Sequence, residues 1–204
     1  AENHGGLYEN LAELRRSHGS CENNLFRAMG LDYVYVDKGN DLSSLIEAFR
    51  KVKDTNHPVV VHINTLKGKG YAPAEEDKET WHWTMPFEIS TGALKQKNIG
   101  EDYNSLTAAH LLQRTKDDKT VCAITAGTPG IWGWTPARRQ EAGKQFVDVG
   151  IAEEHAVALA SGMAKAGGKP VFGVCSSFLQ RAYDQVSQDL CINDNPATLL
   201  VLWG

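Results

Sequence analysis

Two carboxylates stand where a short apolar run breaks into an alanine-rich stretch, in Val147-Asp148-Val149-Gly150-Ile151-Ala152-Glu153-Glu154-His155-Ala156-Val157. The β-branched residues suit a strand end, and Gly150 lets the chain turn sharply. From Ala152 onward the residues suit a helix whose first turn favours acids. In an open α/β sheet, ligands lie just beyond the carboxyl ends of the strands, so Glu153 is the leading candidate for a catalytic acid. Acids at a helix start are also ordinary dipole stabilisers, and the next unit weighs against that plain reading. Val171 to Gln185 repeats the plan: an apolar strand, the polar turn Ser176-Ser177, then a helix opening with Phe178 and Arg181. Phe178, Ala182, Val186 and Leu190 recur every four residues and predict one buried stripe. A carboxylate and an aromatic ring then fall at neighbouring strand ends, beside a guanidinium suited to carboxylate or phosphate.

The elements that must position these groups alternate along the chain. A helix is expected over Gly5 to Arg16 and another over Glu22 to Met29, stopped by Gly30. Tyr33 to Val36 reads as a strand, Asp41 as the cap of an amphipathic helix Leu42 to Lys53, and Val59 to Ile63 as a buried parallel strand. Glu75 to Asn98 lacks periodicity and reads as an interdomain connection that carries Trp81, Trp83 and Phe87. Beyond it come helix 103–115, strand 120–125, a loop from Ile131 to Lys144 with Arg138-Arg139 at a solvated edge, strand 146–149, helix 152–166, strand 170–174, helix 178–192 and strand 197–202. This order predicts an α/β fold with parallel sheets and flanking helices, in two domains, 1–98 and 99–204.

Apolar residues are 42% and charged residues 23% of the 204, with a net charge of −4. That balance is ordinary for a soluble globular protein and gives no reason to expect nucleic acid or membrane as partner. No apolar run reaches membrane-spanning length, and Ala1 to Gly6 reads as neither signal nor transit peptide. Cys21, Cys122, Cys175 and Cys191 make no C-x-x-C pair, so buried free thiols in a cytoplasmic setting are expected rather than a zinc or redox motif.

The two strand–helix motifs resemble thiamine-diphosphate enzymes of the transketolase superfamily, and are most similar to the 1-deoxy-D-xylulose-5-phosphate synthase family. That family's pattern runs close to D-V-G-I-A-E-x-H-A-V and S-x-F-L-Q-R-A-Y-D-Q. It also carries K-G-x-G-Y-x-P-A-E where this chain reads Lys67 through Glu75. The resemblance implies a thiamine-diphosphate-binding fold, with 1–98 ending a pyrophosphate-binding domain and 99–204 beginning a pyrimidine-binding domain. It assigns Glu153 to tautomer control of the aminopyrimidine, Phe178 to stacking on it, and Ile151 and Tyr71 to cofactor contact. His82 falls where the family has a histidine facing the reacting carbons, as catalytic and substrate-binding group, and Arg181 would hold substrate anions. Lys69 would give electrostatic support.

The implied reaction condenses pyruvate with glyceraldehyde 3-phosphate to 1-deoxy-D-xylulose 5-phosphate with loss of CO₂, feeding isoprenoid, thiamine and pyridoxal synthesis. The implied metal is Mg²⁺, yet the family's G-D-G…N ligand motif does not occur, so its ligands are expected outside these residues. Ala1 to His4 would come directly after that motif, and the chain would cover the middle of the family's length. By that account these 204 residues alone should bind thiamine diphosphate poorly. Cys175 stands where the family often has tyrosine, and Leu202-Trp203-Gly204 where it has a D-R-x-G turn, which leaves the acceptor less determined than the cofactor. A transketolase or other ketoacid-processing relative, and a truncated non-catalytic module, remain alternatives. The density of small residues in helix 152–166 predicts a homodimer contact.

Overall fold

Asp41 marks how the first half of the chain folds. Its carboxylate accepts from Ser44 N at 2.7 Å and starts helix α3, Leu42–Val52. That helix connects two parallel strands, β1 (Asp32–Val36) and β2 (Val59–Ile63), in register from Asp32↔Val59 to Val36↔Ile63. The computed structural model describes residues 6–95 and 102–202. Its contacts divide the chain into two units, Ala1–Asn98 and Ile99–Gly204. The expected boundary, Ala1 to Gly5, Trp203 and Gly204 lie outside the described residues.

In the first unit, α1 spans Gly6–Arg16 and α2 only Leu25–Ala28. The helix expected from Glu22 is shortened because Asn24, not Glu22, caps it, accepting from Phe26 N at 3.0 Å. β2 is parallel as expected, but each of its five residues is only half-buried. Leu42, Ile46 and Phe49 of the apolar α3 face are 71%, 42% and 51% exposed. Two strands cannot enclose a sheet on both faces, so apolar pattern here outruns burial. The stretch expected as a bare connection is structured: α4 covers Ala72–Glu76, a 3₁₀ turn covers Thr80–His82, and Phe87 bridges Leu94 antiparallel.

The second unit is a four-stranded, all-parallel sheet in the order β4 (Phe146–Asp148), β3 (Val121–Thr125), β5 (Lys169–Cys175), β6 (Thr198–Leu202). Both faces are covered, as parallel sheets require. α7 (Glu153–Lys165) and the helical run after β5 cover one face, around Ile124, Val157, Ala160 and Phe172. α5 (Tyr103–Asp117) and α6 (Pro136–Ala142) cover the other, with Ala123, Trp132 and Trp134.

Two expectations fail in this unit, each for a local physical reason. Ile131 to Lys144 is not a loop: Thr135 accepts from Arg138 N at 3.4 Å, Pro136 opens α6, and Trp132 and Trp134 are 1% and 0% exposed. Proline at a first helical position favours that start. Arg138 is no solvated edge either, since its guanidinium donates to Gly133 O at 2.7 Å. The helix expected over 178–192 starts at Ser176 and changes winding, from α8 (Ser176–Leu179) through 3₁₀ (Gln180–Ala182) to a π-helix (Val186–Ile192). Each change of winding rotates the next side chain. The predicted stripe therefore keeps Ala182 and Leu190 buried, at 0% and 8%, but leaves Phe178 39% exposed.

Candidate active site

Glu153 occupies the first position of α7, directly beyond the carboxyl end of β4, and is 2% exposed. No side chain caps this helix start at Ala152, so the acids of its first turn stand against uncompensated N–H groups. The polar partner of Glu153 is Arg181, whose Nη1 lies 3.4 Å from Oε2 and whose side chain is half-exposed. A carboxylate this enclosed is stabilised by a charged partner, and Arg181 reaches it from the 3₁₀ turn after β5. The sheet order thus brings together two groups 28 residues apart.

On the segments leading to these two groups, Ile151 before Glu153 is 80% exposed and Phe178 before Arg181 is 39% exposed. An uncovered aliphatic side chain and an uncovered ring, carried on the two segments that supply this ion pair, suit a ligand with an apolar ring face and a hydrogen-bonding edge. Cys175, at the end of β5, is buried, and burial together with the nearby Glu153 carboxylate pushes its thiol up. A raised thiol is a poor nucleophile, in keeping with the absence of a redox motif.

The first unit holds the other expected residues. Tyr71 caps α4, packs edge-on to Trp81 at 5.0 Å and tilts against Phe87 at 5.7 Å, while its hydroxyl donates to Ile89 O at 3.1 Å. His82 is exposed at the end of the 3₁₀ turn, next to Trp81. Its Nδ1 meets Lys67 Nζ. Lys67, rather than Lys69, is therefore the lysine that touches an expected site residue.

Asn40 pins the turn that carries these lysines, because its Oδ1 accepts from Leu66 N at 2.7 Å. Lys69 lines an open depression of about 570 Å³ at the carboxyl ends of β1 and β2, with Asp37, Asn40 and Asn64. A larger one of about 620 Å³ lies at the opposite strand ends, among Asp32, Tyr33 and Val59. The smaller sits where parallel sheets bind ligands, so size does not identify the site here. Spacing along the chain carries no sign of Asn40 or Lys67, because their partners lie across a strand–helix–strand crossover or a turn.

No group of three or more His, Cys, Asp or Glu side chains that could hold a metal ion occurs among the described residues. Nor is any described helix long and apolar enough to cross a membrane.

Residues 102–204 match the family described as transketolase, pyrimidine binding domain, and residues 5–65 match the one described as 1-deoxy-D-xylulose-5-phosphate synthase. Among curated relatives, the 1-deoxy-D-xylulose-5-phosphate synthase of Halothermothrix orenii is 41% identical over 87% of this chain and 28% of its own length. A synthase of the same name from Nitratiruptor sp. is 43% identical over 83% of this chain and 28% of its own. Synthase 1 of Geobacter metallireducens is 42% identical over 87% and 28%. The chain thus spans 28% of the length of these relatives.

Proposed function

Since the chain belongs to the transketolase pyrimidine-binding family, on its 1-deoxy-D-xylulose-5-phosphate synthase branch, we propose that it serves a thiamine-diphosphate-dependent transferase. The protein would join pyruvate to glyceraldehyde 3-phosphate with loss of CO₂. The observation that carries this reading is Glu153, a carboxylate buried at a helix start beyond a strand end and met there by Arg181. Thiamine diphosphate, when bound, supplies an acidic carbon that adds to a 2-oxo acid and stabilises the charge left when CO₂ departs.

The chain's own residues orient that chemistry. Glu153 holds a proton against N1′ of the aminopyrimidine and so selects its tautomer. Phe178 stacks on that ring, a contact worth roughly 0.5–1.5 kcal/mol beyond area burial, and Ile151 packs on it. Arg181 holds the anionic end of a substrate, since a guanidinium matches carboxylate and phosphate. In the first unit, Tyr71 is the proposed cofactor contact. His82, beside Lys67, is the proposed catalytic and substrate-binding group. Mg²⁺ would draw its ligands from outside the described residues. A homodimer and a cytoplasmic setting complete the proposal, the latter supported by four free cysteines.

The test supplies the intact protein with thiamine diphosphate, Mg²⁺ and pyruvate and follows CO₂ release on adding glyceraldehyde 3-phosphate. Acceptor-dependent release supports the proposal. Turnover of a ketose phosphate without pyruvate turnover favours a transketolase, and no turnover of either favours a non-catalytic module.

A further inference from the structure

Beyond the expected site residues, we infer that Asp148 is the positioning residue that sets where Ile151 and Glu153 stand, an inference that rests on the thiamine-diphosphate reading above. Asp148 is the last residue of β4 and pairs in register with Thr125 of β3. The sheet ladder ends just past it, at Val149 N to Thr125 O, 3.0 Å. Beyond that point a side-chain atom ties the two strand-end turns. Asp148 Oδ1 accepts from Gly127 N at 2.8 Å and from Gly150 N at 2.9 Å.

Both glycines have positive φ, +72° and +74°. Each thereby turns its N–H out of the strand direction, which L side chains adopt rarely. The turns also touch: a Cβ on Gly127 would sit 3.2 Å from Ile151 Cγ1. From Gly150 the chain is held once more, by Ala152 N to Gly150 O at 2.8 Å, and Glu153 comes immediately after. A single carboxylate oxygen is therefore the start of a short, fully bonded path to Glu153.

Asp148 itself is exposed and belongs to neither apolar core. Its removal frees the turn without opening a cavity. Placement within about an ångström governs rates at such sites, where a misplacement of that size can cost about 10²-fold.

The experiment uses the intact protein and three variants, Asp148→Ala, Asp148→Asn and Asp148→Glu. Amide hydrogen exchange at Gly127 and Gly150 reads the clamp directly. Exchange of the C2 proton of bound thiamine diphosphate reads its consequence. Asp148→Ala should speed amide exchange at both glycines about tenfold and slow C2 exchange by roughly 30-fold, with cofactor affinity changed by less than about threefold. Asp148→Asn, which keeps the accepting oxygen, should recover most of both losses. Asp148→Glu, which keeps the charge but moves the oxygen by one methylene, should not.

Unaltered amide exchange in Asp148→Ala overturns the inference. So does a loss of C2 exchange that Asn fails to restore and Glu does restore, since charge and not placement would then be at work. If the wild type shows no C2 exchange at all, it is the functional reading that fails. Amide exchange and the Ile151 methyl resonance of the variants then decide by themselves whether Asp148 holds the turn.

Discussion

Glu153 and Gly173 show two ways in which a single position constrains this protein. Glu153, 2% exposed, exchanges water for Arg181 at 3.4 Å. Glu153→Gln keeps the shape and replaces the acid with an amide. It should nearly abolish C2 proton exchange in thiamine diphosphate, while calorimetric affinity stays within roughly tenfold, about 1.4 kcal/mol. Exchange at the wild-type rate would remove Glu153 from the mechanism. Gly173 lies under the indole of Trp132, which an added Cβ would strike, and that ring is only 1% exposed. Gly173→Ala should therefore cost roughly 1–3 kcal/mol by overpacking, read as a lower urea midpoint. An unchanged midpoint would mean that the indole shifts freely.

Elements here are tied at their ends by polar side chains. Asp118, in the turn before β3, accepts from Lys169 Nζ at 2.8 Å and from Thr120 N and Oγ1 at 2.9 and 2.6 Å. Lys169 first, then Thr120, hold its carboxyl well below the ordinary carboxylate value of 3.8. A folded pKa depressed in this way contributes stability above the unfolded value, and that contribution is lost as pH falls toward the folded one. The stability gap between wild type and Asp118→Ala should therefore be full near neutrality and narrower at about pH 3. Urea midpoints that keep the same separation at both pH values would reject the linkage. The winding change after β5 is accommodated similarly. The Asp189 carbonyl in the π-helix accepts from Ser161 Oγ at 2.8 Å and from Asn195 Nδ2 at 3.3 Å. The buried Ser161 thus joins α7 to that run in the midst of an otherwise small-residue helix.

For the molecule as a whole, the proposed homodimer turns on which face of α7 is small and uncovered. Ala160, 0% exposed, belongs to the unit's own core, and Ala164 on the same helix is buried at 8%. Leucine at either position would strain that core and not an interface. Ala158, Gly162 and Ala166 are exposed and recur every four residues, forming the outward face. Ala158→Leu should weaken self-association by roughly 1–3 kcal/mol, seen in sedimentation as dissociation at higher protein concentration. A wild-type monomer would dispose of the dimer proposal.

Much of this protein is determined locally and can be read from its residues in order. Asp41 before Leu42 and the β-branched runs of β2 and β3 set element positions, because caps and strand preference act within a few residues. The motifs around Glu153 and Arg181 likewise identify the family, because they are contiguous. Other features depend on partners far along the chain. Burial of Trp132 and Trp134, exposure of the α3 stripe and the loss of Phe178 from its predicted stripe depend on what packs above each residue, not on period alone. Glu153 meets Arg181, Asp148 binds Gly127, and Asn40 holds Leu66 because parallel strands place the ends of distant segments side by side. Sequence supplied the groups. Which of them touch was decided by strand order and crossover, since a hydrogen bond forms only where the sheet has already brought donor and acceptor within about 3 Å.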